Sequence, residues 1–238
     1  MSAPAPAPSS RASAAPARRP RVVLFDLFET CLLLEGLRPR FLALGRPGHE
    51  LELFFARLLH QGMAMSLAGE APAFATVAAD MLRRTSGRDL TDDEVASVLG
   101  GFRVLPVHDD VAPALGALAH AGIPAYGFTH GSADVAGTAL ANAGVRDLFT
   151  GVFSCEELHT FKPPPRVYQW ACEQVGSAPG RTALVAVHSW DVHGAVSAGL
   201  VGGYCERLEG RVPDAVARPH VAARGLDDVV AGLLALPE

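Results

Sequence analysis

The stretch Arg21-Val22-Val23-Leu24-Phe25-Asp26-Leu27-Phe28-Glu29-Thr30 decides how the rest of the chain is read. Val22 to Phe25 is an uninterrupted apolar run, short enough for a buried strand, and it ends on Asp26. A carboxylate at the end of such a strand costs free energy unless it is paired or put to use. In open α/β sheets that strand end is also where ligands bind. Asp26 is therefore the first candidate functional residue.

Working outward, the chain after Thr30 turns helical for about seventy residues. Leu51, Phe54, Phe55, Leu58, Leu59 and Met63 recur at helical spacing over Leu51 to Leu67. Val77, Ala78, Met81 and Leu82 repeat the pattern over Phe74 to Leu82, with Gly87 as its stop. Thr91-Asp92-Asp93-Glu94 has the spacing of a capping box and opens a helix through Leu99. No strand signal interrupts this block, which reads as a helical cap inserted over residues 36–103.

From about Leu105 the pattern alternates. Helices are expected over Val111 to Ala121, Ala133 to Ala143 and Pro164 to Val175, from Val192, and from Leu226. Strands are expected over Ile123 to Phe128, around Val152, over Thr182 to Val187, over Val201 to Cys205, and at His220 to Ala222. Strands separated by helices imply a parallel sheet covered on both faces. The fold class read from this is α/β: a doubly wound, Rossmann-like core over residues 21–35 and 104–238, with the helical insert between. There is no internal repeat.

Composition narrows the function classes. The chain has 238 residues, about half of them apolar, enough for one sizeable core. A net charge of -5 gives no reason to expect nucleic acid or an anionic membrane as partner. Cys31, Cys155, Cys172 and Cys205 are far apart and form no C-x-x-C pair, as expected of reduced thiols in a cytoplasmic protein. No apolar run approaches membrane-spanning length. Residues 1–20, rich in Ala, Pro and Ser, lack the apolar segment of a signal peptide and read as a disordered tail.

Strand ends supply the polar candidates: Asp26; Thr129, after Ile123 to Phe128; Lys162, in Phe161-Lys162-Pro163-Pro164-Pro165-Arg166-Val167-Tyr168; and Asp191, in Val187-His188-Ser189-Trp190-Asp191. Each has a plain reading as well. Thr129 and Asp191 are suitable N-caps for the helices that follow them. Lys162 precedes a Pro-initiated helix and suits a surface. Phe28, Phe74 and Trp190 suit a pocket wall or simply a core.

The order Asp, Ser/Thr, Lys, Asp resembles the four motifs of the haloacid dehalogenase superfamily, from Arg21 nearly to the C-terminus, and a helical cap fits the same pattern. The phosphatases of that superfamily carry a second Asp where this chain has Phe28. An aromatic residue there, with Lys162-Pro163-x-x-Arg166-Val167-Tyr168 and Trp190-Asp191, is similar to the 2-haloacid dehalogenase branch.

That resemblance implies a hydrolase that releases halide from a small 2-haloacid through an ester on Asp26 and yields a 2-hydroxy acid. It implies Asp26, Lys162 and Asp191 as catalytic residues. It implies Leu27, Phe28, Arg57, Thr129, His130, Gly131 and Trp190 as substrate-binding ones. Arg57 stands about thirty residues beyond Asp26, where the family's cap arginine helps extract the halide, and it is the only charge between Leu53 and Leu59. Long arginines at a core edge also reach out to water. The family's usual Ser-Asn-Gly is replaced here by Thr129-His130-Gly131, and Ala186 and His188 stand where some relatives have Ser and Asn.

No cofactor is implied. Magnesium enters only in the alternative of a phosphatase of the same superfamily, held by Asp26, Asp191 and the Phe28 carbonyl; a binding protein on the same fold is the non-enzymatic alternative. The partner expected is a small haloacid, and homodimers occur among the relatives. His188, Asp191 and His193 are too close in sequence, with no distant fourth ligand, to make a metal centre.

Overall fold

The computed structural model describes residues 17–238. The expected tail lies outside the described residues up to residue 16. Of its last four residues, Ala17 packs against the core, Pro20 is buried, and the Arg19 amide donates to the Pro237 carbonyl at 2.6 Å, while Arg18 is exposed. No described helix is long and apolar enough to cross a membrane.

The core is a parallel sheet built from β1 (Val22–Phe25), β2 (Ala125–Thr129), β3 (Gly151–Ser154), β4 (Thr182–Ala186), β5 (Val201–Cys205) and β6 (Val221–Ala223). Its order is β3-β2-β1-β4-β5-β6, a doubly wound arrangement. β1 lies at the centre, with Phe25 in register with Gly127 on one side and Val185 on the other. Its four residues are all buried, which is why the run reads as uniformly apolar rather than alternating. The chain passes to one side of β1 for β2 and β3 and to the other for β4 to β6. The crevice where this direction switches opens at the C-terminal ends of β1 and β4, beside Asp26 and His188.

Flanking the sheet are α5 (Val111–His120), α6 (Ala133–Asn142), α7 (Pro165–Gln174), α8 (Ser189–Ser197) and α9 (Leu226–Leu234), numbered after the four helices of the insert. Among the boundaries that depart from expectation, two do so for clear local reasons. β2 begins at Ala125 rather than Ile123, because Pro124 has no amide to give the ladder; its carbonyl still accepts from Val23 at 3.1 Å. α8 begins at Ser189, three residues before the expected Val192, because its first turn carries polar and aromatic side chains that hide the helical period.

Between β1 and α5 the described elements are helical: α1 (Arg38–Ala43), α2 (Glu50–Leu67), α3 (Phe74–Ser86) and α4 (Asp92–Leu99), with short 3-10 turns at either end. Thr91 and Glu94 close the capping box, Oγ1 accepting from the Glu94 amide at 3.2 Å and the Glu94 carboxylate from the Thr91 amide at 2.8 Å. Gly87 ends α3 with φ 60°. The apolar faces of α2 and α3 merge with the sheet's core in one continuous cluster that includes Phe28, Phe54, Phe74 and Phe161.

α2 also fastens onto the loop that carries Lys162. Ser66 Oγ accepts from the Phe161 amide at 2.7 Å and donates to the Gly62 carbonyl at 2.8 Å. Glycine at position 62 lets the Phe161 ring lie against the helix backbone, since a Cβ there would come within 2.3 Å of the ring. Replacing a mid-helix glycine by alanine ordinarily stabilises by about 1 kcal/mol. Here the sign should reverse: Gly62→Ala is expected to lose about 1–3 kcal/mol in urea denaturation, through overpacking against Phe161.

Candidate active site

Asp26 follows β1, is 3% exposed, and is held by three side chains. Lys162 Nζ donates to Oδ1 at 2.9 Å; Thr30 Oγ1 donates to Oδ2 at 2.7 Å; His188 Nδ1 lies 3.2 Å from the same Oδ2. Burial alone would raise the Asp26 pKa. Lys162, His188 and Thr30 outweigh it and hold the carboxyl well below the usual carboxylate range, so it is ionised.

Lys162 is fully buried, with its ammonium shared between Asp26 and Asp191 Oδ2 at 2.7 Å and seated 4.8 Å from the Phe128 ring centroid. Burial opposes its charge, but the two carboxylates carry its pKa upward. Asp191 lies in the first turn of α8, and its remaining oxygen accepts from Tyr168 Oη at 2.6 Å. The N-cap of α8 is His188, so the capping reading of Asp191 does not hold: its side chain faces Lys162 and Tyr168. Burial lifts the Asp191 pKa above its usual value, against the pull of Lys162. Gly194 admits Tyr168 to this group, since a Cβ there would sit 2.6 Å from the phenol oxygen.

Two residues that sequence reasoning left out of the site complete it. His188 is 5% exposed, stacks on Trp190 with ring centroids 5.0 Å apart, and places Nε2 2.8 Å from the Glu29 carboxylate. Burial works against the imidazolium, but Asp26 and Glu29 carry the His188 pKa up to about 10. Glu29 adopts φ 65°, with its amide bound to the Leu32 carbonyl and its carbonyl to His108. The signal for His188 was its place directly after the apolar run Thr182 to Val187. Glu29 carried no signal beyond being an acid near Asp26. Thr30 was visible as the close of the first motif, and Tyr168 as the close of the third.

The substrate-binding expectations fare unevenly. Phe28 faces an aromatic group, stacked on Phe74 at 5.7 Å and edge-on to Phe102 at 5.0 Å. Phe28, Phe74, Phe102 and Gly131 line a cavity of about 60 Å³ between the helical block and the sheet. Leu27 is fully buried, and its methyls fill the space that a Cβ on Gly127 would need, so that side chain belongs to the core. Thr129 ends β2 and its Oγ1 accepts from the Gly131 amide at 3.2 Å; it does not cap α6, whose N-cap is Ser132.

His130 lies between Phe161 and Trp190, with Nδ1 3.7 Å from Cys155 Sγ and Nε2 buried without a partner. Burial and the nearby Lys162 push its pKa well down, so it is neutral. His193 turns outward and accepts from the Ala217 amide, apart from His188 and Asp191.

Arg57 is a correction. It is exposed on the outer face of α2 and bonds Thr85 Oγ1 at 3.3 Å. The buried face of that helix is Leu51, Phe54, Phe55, Leu58, Leu59 and Gly62, and position 57 falls outside this stripe. Arg57 therefore does not reach the Asp26 carboxylate, where the resemblance would have the cap arginine.

A family model described as haloacid dehalogenase-like hydrolase matches residues 20–199. The chain is 30% identical over 134 residues to (S)-2-haloacid dehalogenase 1 of Pseudomonas sp. (strain CBS-3), covering 56% of each protein. It is 28% identical over 202 residues to the (S)-2-haloacid dehalogenase of Xanthobacter autotrophicus, covering 84% of this chain and 76% of that one. Against the first two curated relatives the match spans only 56% and 42% of their own lengths. The solved L-2-haloacid dehalogenase of Xanthobacter autotrophicus superposes with a TM-score of 0.82 at 21% identity, over 89% of this chain and 97% of that one. The same fit is found for its structure with chloropropionic acid covalently bound.

Arg57→Ala is expected to keep kcat/KM within about twofold of the parent, about 0.4 kcal/mol, in steady-state assays. A pH dependence of stability follows from His188. Its folded pKa of about 10 lies above its ordinary 6.5. Its contribution is therefore full below about pH 6.5 and is lost as pH rises through 10. Urea denaturation across that window is expected to show the parent losing stability more steeply than His188→Gln, by a few kcal/mol in order of magnitude.

Proposed function

The chain belongs to the haloacid dehalogenase-like hydrolases, and on that footing we propose that it hydrolyses small 2-haloacids through an ester on Asp26. The observation that carries this reading is a carboxylate at the central strand end, kept ionised by Lys162, Thr30 and His188, with Phe28 where a phosphatase needs its second acid. The relative with chloropropionic acid covalently bound supports the same chemistry.

Oδ1 of Asp26 has one hydrogen bond and Oδ2 has two, so Oδ1 keeps the freer lone pair and is the attacking atom. It displaces halide from the carbon next to the substrate carboxylate and forms the ester C–O bond as the carbon–halogen bond breaks. Water then adds to Cγ of the ester; one of its protons ends on the released hydroxyl and the other on solvent, and the carboxylate returns. Lys162 holds Asp26 charged and aimed before attack. Asp191, tied down by Tyr168, fixes Lys162. The substrate carboxylate is assigned to the start of α6, whose N-cap Ser132 makes no side-chain cap bond and leaves amides free. With Arg57 turned outward, the departing halide is assigned to the buried, unpartnered Nε2 of neutral His130 beside Trp190. The cavity of about 60 Å³ meets the carboxylate assignment at Gly131 and Ser132, at the start of α6, with Phe28, Phe74 and Phe102 on its other side; Asp26 and Lys162 are not among its lining residues. We read residues 36–103 as the cap that closes over it.

The donor set does not fit magnesium. Both carboxylate oxygens of Asp26 and of Asp191 already accept from Lys162, Thr30, His188 or Tyr168, and two of those donors are cations.

A panel of (S)-2-chloropropionate, chloroacetate and a generic phosphate ester tests the reading. Chloride release that survives EDTA, with no phosphate release, is expected. Asp26→Asn should lower chloride release at least about a thousandfold, about 4 kcal/mol, because the amide keeps the shape and loses the nucleophile. Phosphate release that vanishes on chelation and returns with magnesium would replace this reading with the phosphatase.

A further inference from the structure

His188 enters the ester mechanism as described only by helping to keep Asp26 ionised, and Glu29 has no task in it. Asp26 Oδ2, His188 and Glu29 lie in line: Nδ1 is 3.2 Å from Oδ2, and Nε2 is 2.8 Å from Glu29 Oε2. An ionised carboxylate only accepts, so with one on each side both ring nitrogens donate, and the ring is an imidazolium. Trp190 stacks on one face at an interplanar angle of 27° and fixes the ring plane.

Glu29 is in this line at a cost. Its φ of 65° is in the left-handed region that L-residues rarely adopt, and among the described residues only one other non-glycine, His159, shares it. The backbone is locked there from both ends, by Leu32 and His108. Strain that the surroundings over-determine at a site is a pointer to a role.

We propose that His188 is a catalytic residue of the second half-reaction, its Nδ1–H stabilising the oxyanion that forms on Oδ2 when water attacks the Asp26 ester, and that Glu29 is its positioning residue. This rests on the ester reaction proposed above. Once Oδ1 is esterified, Oδ2 is the carbonyl oxygen. Water adds to Cγ, and the carbonyl electron pair moves onto Oδ2, where Thr30 Oγ1 and His188 Nδ1 already point. The pair returns as Cγ–Oδ1 breaks, and Oδ1 leaves on the product and takes one of the water's protons. The second water proton goes to solvent, and no proton leaves His188. The resting Nδ1 to Oδ2 distance of 3.2 Å is loose for a charge-assisted bond and has room to shorten as charge gathers on Oδ2. Glu29 holds the ring charged and aimed even after esterification has removed the Asp26 charge.

The test separates the two halves of the reaction with (S)-2-chloropropionate in rapid-quench experiments. Chloride is measured by ion chromatography and the Asp26 adduct by protein mass and peptide mapping. The parent is expected to turn over without accumulating adduct. His188→Gln should release its first equivalent of chloride within about tenfold of the parent rate, then slow about a hundredfold, the usual scale for loss of an oxyanion donor, with adduct accumulating on Asp26. Glu29→Gln, which keeps the side-chain shape, should give the same signature more weakly and carries the test if His188→Gln does not fold. Glu29→Gly removes the carboxylate from a backbone that suits glycine, so adduct should accumulate without a lowered melting temperature.

Loss of the chloride burst in step with turnover, without adduct, would overturn the proposal by assigning His188 to the first step. Turnover of His188→Gln and Glu29→Gln within about threefold of the parent would overturn it by leaving the pair no role. If the parent itself releases no chloride and forms no adduct, the ester reaction fails and takes this role with it. That outcome is read on the parent alone and is distinct from the other two.

Discussion

The buried ammonium of Lys162 is the constraint around which the site is arranged. An unpaired charge at that depth would be neutralised or expelled, so two carboxylates must converge on it from different strand ends. Asp26 comes from the end of β1 and Asp191 from the first turn of α8, after β4, and these two strands are neighbours in register. The sheet order thereby becomes a chemical requirement: unless β4 lies beside β1, the lysine has one partner and the site has an uncompensated charge. Tyr168 and Thr30 take up the carboxylate oxygens that Lys162 leaves open, so each acid is fully bonded.

That polar line is enclosed by rings. Phe28, Phe74 and Phe102 form one aromatic group at the junction with the helical block, while His130 and His188 both lie against Trp190. The enclosure is made by close approaches that only glycine permits, Gly62 against Phe161 and Gly194 against Tyr168. Packing and electrostatics are therefore coupled. The same loop that seats Phe161 on α2 delivers Lys162 to the two acids, so a shift in the helical insert reaches the ammonium through a single peptide.

The histidines show how one residue type takes opposite roles a few ångströms apart. His188, between two carboxylates, is charged; His130, buried among rings with Lys162 nearby, is neutral and keeps a free ring nitrogen. Partners decide the difference, since both are buried.

Much of this was legible in the chain itself. The apolar run into Asp26, the succession of helical and strand segments after Leu105 and the capping box at Thr91 are local patterns, so the elements, the parallel sheet and the helical insert could be read from them. The order of Asp26, Thr129, Lys162 and Asp191, at or soon after strand ends, followed from the same patterns, because a parallel sheet gathers its strand ends on one edge. Arg57 and Glu29 were beyond that reach. Arg57 sits in an apolar stretch, but the rotation of α2 turns it outward to Thr85, and rotation depends on which stripe finds Phe161 and the sheet. Glu29 becomes part of the site through a left-handed backbone angle and a histidine far along the chain. Sequence periodicity assigns a residue to a face. Which charge meets which is decided only when distant strand ends are brought within hydrogen-bonding distance.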